Sequence, residues 1–374
     1  MGGTSLWILG DQLSPSHPGL GMADRVVMVE SAARIRRRPS HRRKLVLVLS
    51  AMRHRAEALA AAGMAVDHVR AGGVVEALSG HIRRHRPDRL VVMDASEYRG
   101  RVLLERLPAR LGLPVEILPN TQMLVGRHDP FPDIEPGRRV VMERFYRRMR
   151  THFGLLMEPG GTPAGGAWNH DRENRRPYPR SGLVPPPVPR FPPDELTARV
   201  MAEVSRMPGI GSVDGFDLPV TAAEAAQALE DFVERRLPSF GPYEDAMSAE
   251  QPVLYHSMLS PALNLGLLDP LDLCRAAESA YRSGAAPIQS AEGLVRQVAG
   301  WREYVFWTYR RLMPGMESMN AWGHRRPLPD WFWTGDTDLR CLATVIRRVL
   351  STGYSHHIER LMVLCNFALL SGID

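Results

Sequence analysis

Ser5-Leu6-Trp7-Ile8-Leu9-Gly10-Asp11-Gln12-Leu13 is a short apolar run that breaks at a glycine into polar residues. Apolar runs of this length bounded by turn residues read as buried strands. Further runs occupy residues 26–29, 44–49, 65–69, 90–93 and 115–118. Helix-like segments at 51–62, 74–84 and 98–111 lie between several of them. Strands alternating with helices predict βαβ units and a parallel sheet, an α/β domain over residues 1–125. Such sheets receive ligands beyond the C-terminal ends of their strands. Asp11 and Gln12 follow the first strand, and Glu30 with Ser31 ends the second. Taken alone, both stretches read equally as ordinary turns.

Residues 126–200 differ in character. A basic amphipathic helix is predicted at 138–150, containing Met142-Glu143-Arg144-Phe145-Tyr146-Arg147. A glycine-rich stretch and Trp168-Asn169-His170-Asp171-Arg172-Glu173-Asn174-Arg175 follow it. Residues 177–193 are proline-rich and exclude a continuous helix or a central strand. The segment reads as an interdomain connector crossing the surface. Residues 201–374 read as mostly helical, with apolar spacing at 222–236, 269–283, 290–312, 339–351 and 356–370. The last of these is apolar nearly all round, which predicts a buried helix.

The 374 residues are 44% hydrophobic and 24% charged, enough apolar matter for a sizeable core. No run of roughly 18 apolar residues predicts a membrane span. The N-terminus lacks a basic region ahead of its apolar stretch, so the expected location is the cytoplasm. The net charge is +6 and Lys44 is the only lysine, so the basic surface is arginine, which suits bidentate phosphate contacts. Cys274, Cys341 and Cys365 show no CxxC spacing, which disfavours a disulfide framework or a self-contained zinc site. GxxxxGK[ST], GxSxG and HExxH are absent. Adjacent histidines on a helix point about 100° apart, so His356 and His357 would not readily share one metal.

Four stretches in the helical half carry polar or aromatic chemistry. His256-Ser257-Met258-Leu259-Ser260-Pro261-Ala262-Leu263-Asn264-Leu265-Gly266 places hydroxyls and backbone N–H groups before a helix, where they serve a phosphate or a plain N-cap. Arg296-Gln297 precedes Trp301-Arg302-Glu303-Tyr304, with Gln297 and Trp301 on one helical face. Trp331-Phe332-Trp333 lines a ring pocket or fills a core. Tyr354-Ser355-His356-His357-Ile358-Glu359-Arg360 sets His357 and Arg360 three apart, a proton-passing group beside a phosphate-binding one, or a capped helix with a surface pair.

In their joint order these segments resemble the photolyase/cryptochrome family, within it the prokaryotic iron–sulfur (6-4) photolyases. The resemblance runs from Ile8-Leu9-Gly10-Asp11-Gln12-Leu13 through Ser50-Ala51-Met52-Arg53-His54, Gly165-Gly166-Ala167-Trp168-Asn169 and Gly300-Trp301-Arg302-Glu303-Tyr304 to His356-His357-Ile358-Glu359-Arg360-Leu361-Met362. It implies an α/β antenna domain at 1–125, a linker at 126–200 and a mostly α-helical FAD-binding domain at 201–374, incomplete at its C-terminus. It implies FAD held by Tyr243, Ser257, Leu259, Ser260, Arg302, His357 and Arg360, with His356 and His357 catalytic. It implies a ribityllumazine antenna at Asp11, Gln12 and Glu30, and Cys341 as one of four ligands to a [4Fe–4S] cluster. The implied activity is light-driven splitting of UV pyrimidine dimers, (6-4) photoproducts foremost, in damaged DNA. The alternatives are a cryptochrome-like photoreceptor without repair, and a non-catalytic remnant or half of a split enzyme with a complementary C-terminal polypeptide. Relatives are expected to continue past the position of Asp374 and to supply three further cysteines. A [4Fe–4S] cluster needs four ligands, so no stable cluster is expected on this chain.

Overall fold

A computed structural model describes residues 3–37, 39–135, 137–179 and 183–374. Five strands, β1 (Thr4–Ile8), β2 (Arg25–Ser31), β3 (Ala65–Ala71), β4 (Arg89–Met93) and β5 (Val115–Leu118), form one parallel sheet in the order β3-β2-β1-β4-β5. The winding reverses between β1 and β4, so the loops after these two strands diverge and leave a crevice at the sheet's C-terminal edge. Helices α1 (Ala32–Arg37), α2 (Arg42–Ala61), α3 (Val74–His85) and α4 (Tyr98–Leu111) connect the strands.

Alternate residues of the central strands feed two cores, as the two-residue strand period requires. Trp7, Val27, Leu90 and Val92 pack with Leu78 of α3 and with Leu104 and Leu107 of α4. Leu6, Ile8, Val26, Met28 and Val91 face α2, and that core runs on into the helical half. The strand expected at 44–49 is instead the first part of α2. His41 caps this helix by accepting from Arg43 N at 3.2 Å. Leu45, Leu49, Met52, Ala56 and Leu59 recur at helical spacing and are all buried, so the periodicity of the longer segment overrides the short apolar run.

The remainder is helical: α5 (Met142–Phe153), α6 (Glu195–Ser205), α7 (Ala222–Arg235), α8 (Leu237–Phe240), α9 (Ser260–Leu265), α10 (Pro270–Arg282), α11 (Ile288–Val295), α12 (Glu303–Leu312), α13 (Arg340–Thr352) and α14 (Asn366–Leu370). Thr221 and Glu224 close a reciprocal capping box on α7, and Asp269 caps α10 ahead of Pro270. The helix expected over 290–312 is divided, because the backbone widens into a π-helical turn at Arg296–Arg302 between α11 and α12. A second π-turn, Glu359–Cys365, precedes α14. Such turns are frequent at functional sites.

Part of the expected surface connector lies in the core. Phe145, Tyr146, Met149 and Arg150 of α5 are fully buried, and α6 packs along α2. The described part of the proline-rich stretch is neither helix nor strand, and residues 180–182 lie outside the described residues. The last segment departs from the buried helix expected at 356–370. Phe367 packs against Trp331 and Phe332, but Leu361, Met362, Leu369 and Leu370 are exposed, so one side only is covered. Among the described residues no helix is long and apolar enough to cross a membrane.

Arg53 of α2 fastens the sheet to α6. Its Nε and Nη2 donate to Glu30 at 2.8 and 3.0 Å, and its Nη1 and Nη2 donate to Glu203 at 3.0 and 2.7 Å. Burial alone would push the Glu30 carboxyl up, but His68 and Arg53 outweigh it and hold the group down to about 2. This stabilisation is complete above the ordinary value of 4.5 and is lost as pH falls towards about 2. Arg53→Ala should cost about 3 kcal/mol in urea unfolding at neutral pH, because it strands the Glu30 carboxylate. Glu30→Gln should flatten the loss of stability between pH 4.5 and about 2. An unchanged slope would show that Glu30 does not carry the acid sensitivity.

Candidate functional site

The double histidine meets a third histidine from a loop a hundred residues earlier. The His256 and His356 rings stack at 4.4 Å with 13° between their planes, and His357 stands edge-on to His256 at 5.6 Å. His256 faces two carbonyls, Nδ1 at 2.8 Å from Val253 O and Nε2 at 3.0 Å from Glu244 O. Burial pushes His256 down to about 4. Burial, reinforced by the His256 and His357 charges, pushes His356 down to about 3. Both rings are therefore neutral at physiological pH. Imidazole lone pairs lie in the ring plane, so the stacked rings do not direct their nitrogens at one ion, and a neutral His256 donates to one of its two carbonyls. His357 is the open member, with Nε2 3.8 Å from Asp245 Oδ1, a contact that holds the Asp245 carboxyl below its ordinary range.

A buried charge network underlies this patch. Glu292 Oε1 accepts from the Tyr146 hydroxyl at 2.9 Å, and Oε2 accepts from His170 N at 3.0 Å. Arg296 lies 3.6 Å from Glu292, 3.5 Å from Glu244 and 3.0 Å from Asp171. Glu244 also accepts from Gln297 and, at 3.2 Å, from Asn174. Burial raises the Glu244 carboxyl despite Arg296, and the carboxylates raise Arg296 against its own burial. There is no space for a side chain at Gly293, where a Cβ would sit 2.9 Å from Asn174 Nδ2 and 3.0 Å from Glu244 Oε2. Beside the network Tyr243 stacks on Tyr255 at 5.5 Å and meets Tyr178 edge-on at 5.9 Å. Trp301 projects from the π-turn with 41% of its surface exposed.

Several buried polar atoms here lack hydrogen-bond partners: both His356 nitrogens, Asn174 Oδ1, His170 Nε2, and Nε and Nη2 of Arg296, whose only partners are the carboxylates as ion pairs. An unsatisfied buried polar atom costs about 1–3 kcal/mol, so the cluster suits a polar ligand. Of the residues expected at the site, the structure brings His356 and His357 together at His256, while Tyr243 stacks on Tyr255. Ser257 and Leu259 lie in the strained turn that follows, where Met258 takes a φ of 60° and Ser257 Oγ accepts from Leu259 N at 3.3 Å. Ser260 opens α9 without a side-chain cap and is exposed. Arg360 is also exposed. Arg302 is spent elsewhere, on Glu303 at 2.6 Å and on the Gln122 carbonyl. Glu244, Asp245, Glu292 and Asn174 received no role from the sequence. The i, i+4 pair Glu292–Arg296 inside an otherwise apolar helix was the available signal.

At the sheet's C-terminal edge the three antenna residues are held by the protein itself. Gln12 Nε2 donates to Met93 O at 3.2 Å and Asp94 O at 3.0 Å, and Glu30 is occupied by Arg53 and His68. Asp11 is half-buried, and desolvation raises its carboxyl. The Asp11 carbonyl accepts from Gln122 Nε2 at 2.7 Å, and Gln122 lines an adjoining cavity of about 240 Å³ with Ser14, Met93, Arg127 and Asp269. Cys341 and Cys365 are exposed, whereas Cys274 is buried and its thiol is pushed up. Three cysteines cannot supply the four ligands of a [4Fe–4S] cluster, so the residues of this chain do not fit that group.

The fold is that of photolyases and cryptochromes. The chain superposes along its whole length on 74% of a bacterial class III photolyase from Agrobacterium tumefaciens (TM-score 0.65, 17% identity) and on 76% of a cryptochrome from Synechocystis (TM-score 0.71, 14% identity). In sequence it is 40% identical over 380 residues to the (6-4) photolyase of Agrobacterium fabrum, covering 98% of this chain and 74% of that protein. The family described as deoxyribodipyrimidine photo-lyase-related protein matches residues 6–218, and the chain belongs to it.

The low values of His256 and His356 predict that both imidazoles stay neutral at pH 5. Nitrogen-detected NMR of the ring resonances should show neither titrating near the ordinary value of 6.5. A midpoint near 6.5 for His356 would mean that water reaches it.

Proposed function

We propose that this chain is a light-driven photolyase that splits UV pyrimidine dimers in DNA, of the (6-4) type, with FAD as its cofactor. The observation that carries the reading is the convergence of His356 and His357 on a buried polar patch with unpartnered atoms, in a chain 40% identical to a (6-4) photolyase. FAD, when bound, supplies the photoexcited electron donor. Asn174 Oδ1 and His170 Nε2 are unpartnered and can hold its polar parts, and Tyr243 offers a ring. The uncapped first turn of α9, next to Ser257 and Ser260, suits a phosphate.

The protein's own chemistry is proton management. His357 stands at the open side, 3.8 Å from the Asp245 carboxylate. His356 is neutral and enclosed behind it. This is the arrangement of a proton donor to a substrate that enters from solvent. A damaged nucleotide costs least to extrude from the duplex, which favours the lesion over intact bases. The exposed Trp301 ring offers a stacking surface to an extruded base, and the exposed guanidinium of Arg360 suits a DNA phosphate. The ribityllumazine reading concerns Asp11, Gln12 and Glu30 at the C-terminal edge of the sheet.

Purified chain should show flavin absorption and, under blue light, convert an oligonucleotide carrying one (6-4) photoproduct to intact thymines, read by mass spectrometry. His357→Ala should retain flavin and lose about 10²-fold or more in repair rate. Flavin photoreduction without lesion turnover would favour the photoreceptor reading. A colourless protein would sink autonomous repair by this chain.

A further inference from the structure

A second histidine cluster lies at the opposite end of the sheet. Asp67 projects from the edge strand β3, and His81 and His85 share one face of α3 a single turn apart. Asp67 Oδ2 is 2.7 Å from His81 Nδ1 and 3.5 Å from His85 Nε2, and one ligand atom from each residue lies within 4.8 Å of the others. We propose that Asp67, His81 and His85 form a divalent transition-metal site that takes zinc, with water as the fourth ligand. The site is independent of the photolyase reading.

Ring geometry is the first argument. The His81 and His85 rings are tilted by 50° at 4.8 Å, so their in-plane lone pairs can converge on one point, as those of the stacked His256 and His356 cannot. Zinc bonds of about 2.0–2.1 Å place tetrahedral ligand atoms about 3.3 Å apart. The separation from Asp67 to His85 already matches, and His81 Nδ1 needs to open by about half an ångström.

The second argument is what stands behind the buried ligand. His81 is completely enclosed, and its Nε2 is 2.9 Å from Ser5 Oγ of β1. A hydroxyl can donate or accept. Without metal, His81 donates Nδ1–H to Asp67 and Ser5 donates to Nε2. With metal, the ring changes tautomer, Nδ1 offers its lone pair and Nε2–H is donated to Ser5. A metal-bound histidine nearly always donates its other N–H in this way.

The third argument is charge and access. Arg84 Nη2 lies 2.7 Å from Asp67 Oδ2, so a cation already occupies this position, carried on a side chain that is 52% exposed and free to swing out. Asp67 and His85 are partly exposed, which gives a metal and its water a way in. Imidazole with carboxylate suits zinc, copper or nickel better than calcium or magnesium. Bound metal would pin α3 to the edge strand, far from the C-terminal edge where the sheet's ligands sit.

Isothermal titration of the full chain with zinc chloride tests this, with cobalt(II) absorption as a second readout of tetrahedral geometry. The expected result is one zinc per chain. His85→Gln, at a partly exposed position, should weaken binding about 10-fold or more, Arg84→Ala should tighten it, and His357→Ala should leave it unchanged. Absence of binding, equal binding by His85→Gln, weaker binding by Arg84→Ala or loss in His357→Ala would each overturn the assignment.

Discussion

The helical half is organised around Arg296. It lies between Glu244 and Glu292, two carboxylates that are themselves almost fully buried, and it reaches Asp171 beyond them. Isolated charges in such surroundings are costly, so these groups must meet for the segments that carry them to pack. They arrive from the turn after α8, from α11, from the π-turn and from the segment before the proline-rich stretch. Tyr146 and His170 N complete Glu292, and Asn174 and Gln297 complete Glu244. Arg296 and Gln297, adjacent in the π-turn, both address Glu244. The histidine and tyrosine rings are positioned on this base.

The seam between sheet and helices is also polar. Leu13 N donates to Leu265 O at 2.8 Å, Val125 N donates to Glu303 at 3.0 Å, and Tyr98 N donates to the Tyr309 hydroxyl at 2.8 Å. The loops that leave the C-terminal edge of the sheet are thereby held against α9, α12 and the intervening turn. This explains why Arg302, which contacts Gln122, acts at the seam. The ordinary ligand edge of a doubly wound sheet is here largely an interface, with cavities left between its contacts.

Two histidine clusters in one chain show how ring orientation directs chemistry. In the first, the rings stack and are desolvated, so protonation is costly and metal convergence is blocked. In the second, one carboxylate gathers two tilted imidazoles and a guanidinium, so lone pairs can meet. Residue type is the same in both, and the difference lies in packing and in the partner behind each nitrogen.

Sequence alone determined the alternation of strand and helix along the first part of the chain, because buried parallel strands are short, continuous and apolar. It determined the helices of the second part through periodicity and capping residues such as Thr221 and Asp269. It also singled out His356, His357 and Tyr243, through motifs whose order is specific even where each motif is not. Residues 44–49 read locally as a strand because the five apolar residues Leu45–Leu49 fit either a strand or a buried helix until their neighbours are counted. Tertiary structure alone decided that His256 would stack on His356, that Arg296 would carry the buried charge network while Arg302 went to the seam, and that Glu30 would be consumed by Arg53. Periodicity and capping are properties of neighbours in the chain. The partner of a buried charge is chosen by which segments the core brings together, and no local pattern records that choice.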